Sequence, residues 1–184
     1  MKSYILTALR LTSASILLVV IYTAIVAAMA QLTPERGAGE MFTDHGHTWY
    51  ANIGQKFTED RYFNSRPSAV GYNASASGGS NKGPYNPEYL IEVHQRIDSF
   101  LAHNPRIKRS GIPADLVTAS GSGLDPDISV AAAMVQVPRI AAVRGIDRNM
   151  LYQLIAQHTE HPFGGLCGPE KINVLKLNIA LNNL

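Results

Sequence analysis

Two loops rich in glycine and serine contain the residues best suited to chemistry. The first holds Ser77, Gly78, Gly79, Ser80 and Asn81, and the second holds Ser120, Gly121, Ser122, Gly123 and Asp125. Successive backbone N–H groups in such segments can point at one anion, as they do in phosphate-binding nests. The same glycines also permit tight surface turns with positive φ. From the residues alone, the structural interpretation is favoured.

Other kinds of site find less support in the sequence. Ser80 or Ser122 could be the nucleophile of a membrane-anchored extracytoplasmic serine hydrolase, but there is no Gly-x-Ser-x-Gly elbow and no Ser-x-x-Lys pair. Asp125 lies near a second carboxylate but lacks the rest of a calcium loop, so a turn is favoured. His45 and His47 lack further ligands at metal-binding spacing, so a solvated loop is favoured. We expect no catalytic residue and no metal site.

An apolar stretch over residues 11–34 carries no charged side chain. A bilayer core about 30 Å thick needs about 20 helical residues, so we predict a transmembrane helix over 11–33. Lys2 and Arg10 precede it, and the first charge beyond is Glu35, so residues 1–10 should be cytoplasmic and the rest extracytoplasmic. The segment Ala28-Met29-Ala30 also fits a signal-peptidase site. The apolar region is longer than the usual signal peptide, which favours an uncleaved anchor.

Composition narrows the function classes. About 150 residues follow the anchor, enough for one domain with its own core. The formal net charge is +2, and the basic residues are scattered singly, so nucleic acid is excluded as a partner. Cys167 is the single cysteine and cannot form an intramolecular disulfide or a thiolate metal cluster.

Local patterns predict the elements that position the loops. Residues 34–46 are interpreted as a linker with little fixed structure, and the soluble domain is placed over 47–184. A strand with a bulge or turn is predicted over 49–57. Residues 61–87 form a loop too long for a passive connection. A helix then begins at Asn86 and Pro87, with an apolar face at helical spacing: Leu90, Val93, Ile97 and Leu101.

The second half of the chain predicts further short elements. Residues 114–120 suggest a strand, and the following turn leads into a helix capped by Ser129 or Asp127. Pro138 should kink or break that helix, and Asp147 should cap the next one. Residues 171–181 predict a strand that is internal to a small sheet. The fold class is therefore α+β, with one transmembrane helix followed by a single extracytoplasmic domain of mixed helices and strands.

Several segments together resemble one protein family. They are IGQKF, YFNSRPSA, YNASASGGSN, NPE, IPADLVTASGSGLDPDIS, QVPRIAAVRG and INVLKLNIAL, in family order from Ile53 to Leu181. The family is the C subunit of the Kdp potassium-transporting P-type ATPase, which also has a single preceding transmembrane segment. Departures from its pattern lie before IGQKF and in the GGLCGPEK region, and they affect the expected strand boundaries.

The resemblance implies an uncleaved anchor in the bacterial inner membrane and an accessory role in a complex. The expected partners are a channel-like potassium-binding subunit, an ATP-hydrolysing P-type subunit, a small single-helix subunit and membrane lipid. The chain would be needed for assembly and for raising affinity, and would not be an enzyme by itself. No cofactor should be bound tightly, ATP would act through the complex, and K⁺ would be the transported ion.

The family is described as a catalytic chaperone that raises ATP binding by the hydrolysing subunit, and SGGSN is likened to a nucleotide-contacting signature. Cytoplasmic ATP cannot reach an extracytoplasmic loop across a layer about 30 Å thick. We therefore expect Ser77 to Asn81 to dock on the outer face of the channel-like subunit. Any effect on ATP affinity would then pass through the complex by linkage.

Overall fold

The computed structural model describes residues 2–44, 46–162, 164–166 and 168–184. Its contacts divide the chain into two compact units, of which the first ends at Tyr50 and the second runs from Ala51 to Leu184. The predicted start of the soluble domain, residue 47, is the first residue of the last strand of the first unit, His47–Tyr50. His45 and Cys167 lie outside the described residues, so the expectations for their side chains stay predictions.

The first unit begins with one long helix, α1, which runs from Lys2 to Ala30 and has no buried residue. Its length and composition are those of a helix that can cross a membrane. The hydroxyls of Thr7 and Thr23 each donate to the backbone carbonyl four residues earlier at 2.9 Å. These two polar groups are therefore satisfied inside the helix, as a lipid environment requires. The last three residues of the predicted span, 31–33, belong to the turn after α1.

The segment predicted as an unstructured linker contains ordered structure. Strands β1 (Met41–Asp44) and β2 (His47–Tyr50) form an antiparallel hairpin. The linker prediction was therefore wrong for residues 41–44, and the strand predicted over 49–57 ends at Tyr50. The reason is that β1 obtains its hydrogen-bonding partner from β2, and the composition of either segment alone does not indicate that pairing.

The second unit is built on a three-stranded antiparallel sheet. Its strand order is β3 (Asp127–Ile128), β5 (Lys171–Asn173) and β4 (Thr159–Glu160), so β5 is the internal strand, as predicted. The prediction of a strand over all of 171–181 was wrong, because helix α6 (Val174–Asn182) begins directly after β5. The side chain of Asn173 accepts from the N–H group of Lys176 at 3.1 Å and caps α6.

Three further helices follow β3 and confirm the predicted starts and break. They are α3 (Val130–Met134), α4 (Val137–Arg144) and α5 (Arg148–Gln157). Ser129 caps α3 and Asp147 caps α5, each by accepting a backbone N–H group. The break falls between α3 and α4, just before Pro138.

The core lies between these helices, α6 and the sheet. The helices contribute apolar faces at helical spacing, and the sheet contributes Ile128 and Ile172. The buried apolar side chains of the core are Phe63, Leu116, Ile128, Ala132, Ala133, Val137, Ile140, Ala141, Leu151, Leu154, Ile155, Ile172, Val174, Leu177 and Leu181. The predicted mixed fold class with a small sheet is confirmed.

Helix α2 (Pro87–His103) lies outside this core. Asn86 caps it by accepting from the N–H group of Tyr89 at 3.0 Å, as predicted. None of its residues is fully buried, although Phe100 packs at the edge of the core.

The segment 114–120, predicted as a strand, contains instead a short 3₁₀ helix at Ala114–Leu116. The N–H groups of Val117 and Thr118 donate back to the carbonyl oxygen of Ala114 at 3.1 and 2.9 Å. Those local bonds take the place of a strand ladder.

Candidate functional site

The structure brings the two glycine-rich loops into contact, although 45 residues separate the bonded pair in sequence. The carbonyl oxygen of Ser122 accepts from the N–H group of Gly78 at 2.9 Å and from the hydroxyl of Ser77 at 3.0 Å. We call residues 77–81 and 120–125 the loop pair. Every site residue named from the sequence therefore lies in one of two loops that touch.

Gly79 and Gly123 allow the two backbones to approach. A Cβ atom at Gly79 would lie 2.9 Å from the carbonyl oxygen of Gly121, and one at Gly123 would lie 2.6 Å from that of Gly78. Gly123 also has a φ of +68°, where glycine is favoured. Gly78 and Gly121 are less constrained: a Cβ atom at Gly78 would lie at an ordinary 3.7 Å from Val70, and one at Gly121 would meet nothing within 4 Å.

A tight turn over residues 70–73 supports the loop pair. The N–H group of its last residue donates to the carbonyl oxygen of its first at 3.2 Å. Its central residues, Gly71 and Tyr72, have φ values of +62° and +61°, as in a type I′ turn. The hydroxyl of Ser68 accepts from the N–H group of Tyr72 at 2.9 Å and donates to the carbonyl oxygen of Gly123 at 2.6 Å. One hydroxyl thus joins the turn to the second loop.

An ion pair joins Arg66 to Asp125 of the second loop. Arg66 Nη1 lies 2.7 Å from Asp125 Oδ2, and both side chains are about a quarter exposed. Asp125 Oδ1 accepts from the N–H group of Asp127 at 3.1 Å, which confirms the predicted turn. The hydroxyl of Tyr72 donates to the carbonyl oxygen of Arg66, and burial raises the pKa of that phenol above its ordinary value. Tyr72 therefore stays a neutral donor at physiological pH.

Hydrogen bonds hold the second loop and tie it to neighbouring segments of the second unit. The hydroxyl of the buried Ser120 accepts from the N–H group of Gly123 at 2.8 Å. The N–H group of Gly54 donates to the carbonyl oxygen of Leu124 at 2.7 Å, and that of Val174 donates to the carbonyl oxygen of Pro126 at 2.9 Å. At the other end of the loop, the N–H group of Ser120 donates to the carbonyl oxygen of Pro67 at 3.2 Å, so the loop is held at both ends.

Lys82 connects the first loop to α2. Its Nζ lies 2.7 Å from Glu92 Oε1, and Arg96 Nη2 lies 3.3 Å from Glu92 Oε2. The hydrogen bond with Lys82 lowers the pKa of Glu92, and the same bond raises the pKa of Lys82. A cleft of about 540 Å³ lies beside these residues, between α2 and residues 57–65. The acidic side chains that line it, Glu92 and Asp60, are already paired, and the cleft contains no residue of the loop pair.

These contacts limit the chemistry of the loop pair. An anion nest would use the N–H group of Gly78, which is already bonded to Ser122. The hydroxyl of Ser122 accepts from the N–H group of Leu124 at 3.1 Å. In the described part of the chain, no histidine is hydrogen-bonded to Ser80 or Ser122, so no observation favours the hydrolase alternative. Exposed polar residues remain at the rim of the loop pair: Ser77, Ser80, Asn81, Gly121 and Ser122. Such a rim can contact another protein.

Arg139 is the main polar residue that the sequence did not single out. Its side chain is only 4% exposed, and the Asp60 carboxylate lies 3.7 Å away. Burial lowers the pKa of Arg139, and Asp60 partly offsets this effect. The guanidinium donates to the side chains of Asn64, Asn104 and Gln136 and to the carbonyl oxygens of Asp60 and Tyr62. The only available signal was an arginine directly after Pro138, between apolar residues near the start of α4.

Comparison with known proteins agrees with the resemblance seen in the segments. The family model for KdpC, described as K⁺-transporting ATPase, c chain, matches residues 5–183. A Bacteroides fragilis protein named potassium-transporting ATPase KdpC subunit is 53% identical over 154 residues, which cover 82% of this chain and 81% of that protein.

Two proteins of the same name come from other bacteria. The Flavobacterium johnsoniae protein is 48% identical over 170 residues, covering 92% of this chain and 91% of the relative. The Polaromonas naphthalenivorans protein is 48% identical over 165 residues, covering 88% and 84%. The family match extends through α1, the hairpin and the second unit. The chain therefore belongs to the KdpC family, the c chains of K⁺-transporting ATPases.

Proposed function

We propose that the chain is an accessory, non-hydrolysing subunit of an ATP-driven, high-affinity potassium import complex, needed for assembly and for raising affinity. The observation that carries this proposal is the family match over residues 5–183. The sequence also lacks the phosphorylated Asp-Lys-Thr-Gly-Thr motif of P-type ATPases and any Gly-Lys dipeptide for a P-loop. ATP hydrolysis therefore has to come from a partner.

The proposed membrane topology is supported by α1 and its flanking charges. One apolar helix cannot enclose an ion path, so a channel-like potassium-binding subunit must supply the pore. Lys2 and Arg10 precede the uncharged part of α1, which favours a cytoplasmic N-terminus and an extracytoplasmic second unit in the bacterial inner membrane. A P-type ATP-hydrolysing subunit and a small single-helix subunit would complete the complex.

The loop pair is the surface we assign to docking, against the outer face of the channel-like subunit near the point of potassium entry. Its rim is exposed, while bonds to Ser68, Gly54 and Pro67 constrain its backbone. The N–H group of Gly78 is used within the chain, so an anion would have to displace Ser122. Any effect of the chain on ATP affinity would pass through the assembled complex by linkage.

Co-purification with transport measurements tests this role. We expect the tagged chain to recover the channel-like and ATP-hydrolysing subunits from membranes. The purified chain alone should neither hydrolyse ATP nor carry potassium into vesicles, whereas the assembled complex should do both. Potassium flux or ATP hydrolysis by the chain alone would contradict the proposal. Labelling of the isolated chain by a serine-reactive probe would favour the hydrolase instead.

A further inference from the structure

The hairpin of β1 and β2 has an apolar end and a polar end. At its open end, Met41 lies opposite Tyr50, and Phe42 lies opposite Trp49. Toward the turn, Thr43 lies opposite Thr48. Met41 and Tyr50 are 46% and 41% exposed. Four large side chains are thus gathered at the end of the hairpin where the chain enters and leaves it.

This hairpin needs a covering surface. Isolated two-stranded hairpins are only marginally stable in water, and each strand here has four residues. Side chains alternate between the two faces of a strand, so Phe42 and Trp49 share one face and Met41 and Tyr50 share the other. The apolar end therefore has large side chains on both faces.

The chain keeps this end close to the membrane. From Leu11, the first residue after Arg10, to Ala30, helix α1 contains 20 residues (30 − 11 + 1). At 1.5 Å per residue this length is about 30 Å, the thickness of the hydrocarbon core. Ala30 is thereby placed at the outer boundary of the core.

The residues after Ala30 turn back on the helix end. The hydroxyl of Thr33 donates to the carbonyl oxygen of Ala30 at 2.7 Å and accepts from the N–H group of Gly37 at 3.0 Å. The four steps from Gly37 to Met41 can span at most about 14 Å. The polar layer outside the hydrocarbon core is about 5–8 Å thick. The open end of the hairpin consequently lies within reach of the lipid headgroups.

We propose that the β1–β2 hairpin rests on the outer leaflet, with Met41, Phe42, Trp49 and Tyr50 in the interfacial layer of the lipid. Tryptophan and tyrosine are enriched at this depth because their rings combine an apolar body with a polar group. In this position the lipid covers the apolar end of the hairpin, which would be exposed if the hairpin lay in water. This inference rests on the proposed insertion of α1.

Trp49 is the only tryptophan in the chain, so its fluorescence reports on the hairpin directly. The full chain is reconstituted into phosphatidylcholine vesicles that carry a nitroxide either near the headgroup or deep in the acyl chain. We expect at least about twofold stronger quenching by the shallow nitroxide than by the deep one, as for an interfacial ring. Acrylamide in the water should quench Trp49 weakly.

Two matched variants calibrate the depth. Trp49→Phe with Tyr22→Trp places the fluorophore near the middle of the span, where the deep nitroxide should quench most. Trp49→Phe with Tyr85→Trp places it on the second unit, at a position that is 91% exposed, where acrylamide should dominate.

The outcomes separate the two proposals. In one outcome, acrylamide quenches Trp49 as strongly as it quenches the Tyr85→Trp variant, while the deep nitroxide quenches the Tyr22→Trp variant. The hairpin proposal then fails, and the proposed membrane insertion of α1 stands. If neither lipid nitroxide quenches the Tyr22→Trp variant, both the hairpin proposal and the proposed membrane insertion of α1 fail. The same measurement on the assembled complex completes the test. Shielding of Trp49 from every quencher there would mean that a protein partner covers the hairpin, which would also overturn the proposal.

Discussion

At the scale of single residues, the four glycines of the loop pair make a matched set. We expect Gly79→Ala and Gly123→Ala to destabilise the fold by more than about 1 kcal/mol, because each added Cβ atom would collide with a backbone carbonyl oxygen of the other loop. Gly78→Ala and Gly121→Ala are the controls and should stay within about 0.5 kcal/mol. Thermal unfolding of the full chain in detergent measures the difference. Equal losses in all four variants would contradict the assigned contacts.

Arg139 gives a second test at this scale. In Arg139→Met, the side chains of Asn64, Asn104 and Gln136 would lose their shared donor inside the fold. We expect a loss of about 3 kcal/mol of unfolding free energy, which is typical when one partner of a buried polar network is removed. Arg106→Met is the control, since Arg106 is exposed. Urea unfolding that shifts equally in both variants would show that Arg139 is not a structural hub.

The role of the glycines could be predicted from the sequence, whereas the role of Arg139 could not, and the reason is physical. The residue type alone indicates the role of a glycine, because few other residues tolerate positive φ or a close backbone approach. An arginine on a helix usually has its charge in water. The burial of Arg139 depends on the carbonyl oxygens of Asp60 and Tyr62, which reach it only in the folded chain. The contact between Gly78 and Ser122 likewise depends on tertiary structure.

At the scale of elements, the bond between Lys82 and Glu92 connects the first loop to α2, and its pH dependence is predictable. The pKa of Glu92 is lowered from 4.5, so its stabilising effect is present above pH 4.5 and is lost as the pH falls through the lowered value. The pKa of Lys82 is raised from 10.5, so its effect is complete below pH 10.5 and is lost as the pH rises through the raised value.

We therefore expect Lys82→Met to lower the unfolding temperature slightly near neutral pH in low salt, because this exposed pair is screened by ions. The difference from the wild-type chain should shrink as the pH falls through the lowered pKa of Glu92, and it should disappear once Glu92 is protonated in both proteins. Lys108→Met, at an exposed position, is the control. A difference that persists unchanged in acid would mean that Lys82 acts through some other contact.

Elements with local signals were predictable, and elements that depend on distant partners were not. Asn86, Ser129 and Asp147 cap helices through bonds to N–H groups two or three residues away, which sequence spacing reveals. Strand β1 exists only through pairing with β2. The change from strand to helix at Asn173 is also hidden, because an apolar run fits both structures equally well.

At the scale of the whole molecule, the proposal of an uncleaved anchor predicts that α1 is retained in the mature protein. The protein extracted from membranes should retain residues 11–30, because we propose that α1 is an uncleaved span and not a removable signal. Mass spectrometry of the purified protein measures this directly. A chain shortened by cleavage after Ala30 would leave a secreted domain and contradict the proposed topology.

The proposal that the loop pair docks and does not touch nucleotide separates two accounts of this subunit. The most direct test is the apparent ATP affinity of the complex assembled with Ser80→Ala and Asn81→Gly, where glycine suits the φ of +54° at Asn81. If the loop pair does not touch nucleotide, the ATP affinity of the assembled variant complex should change by less than about twofold, well under 1 kcal/mol. A tenfold fall in ATP affinity, about 1.4 kcal/mol, with assembly and topology intact would show instead that these side chains contact ATP.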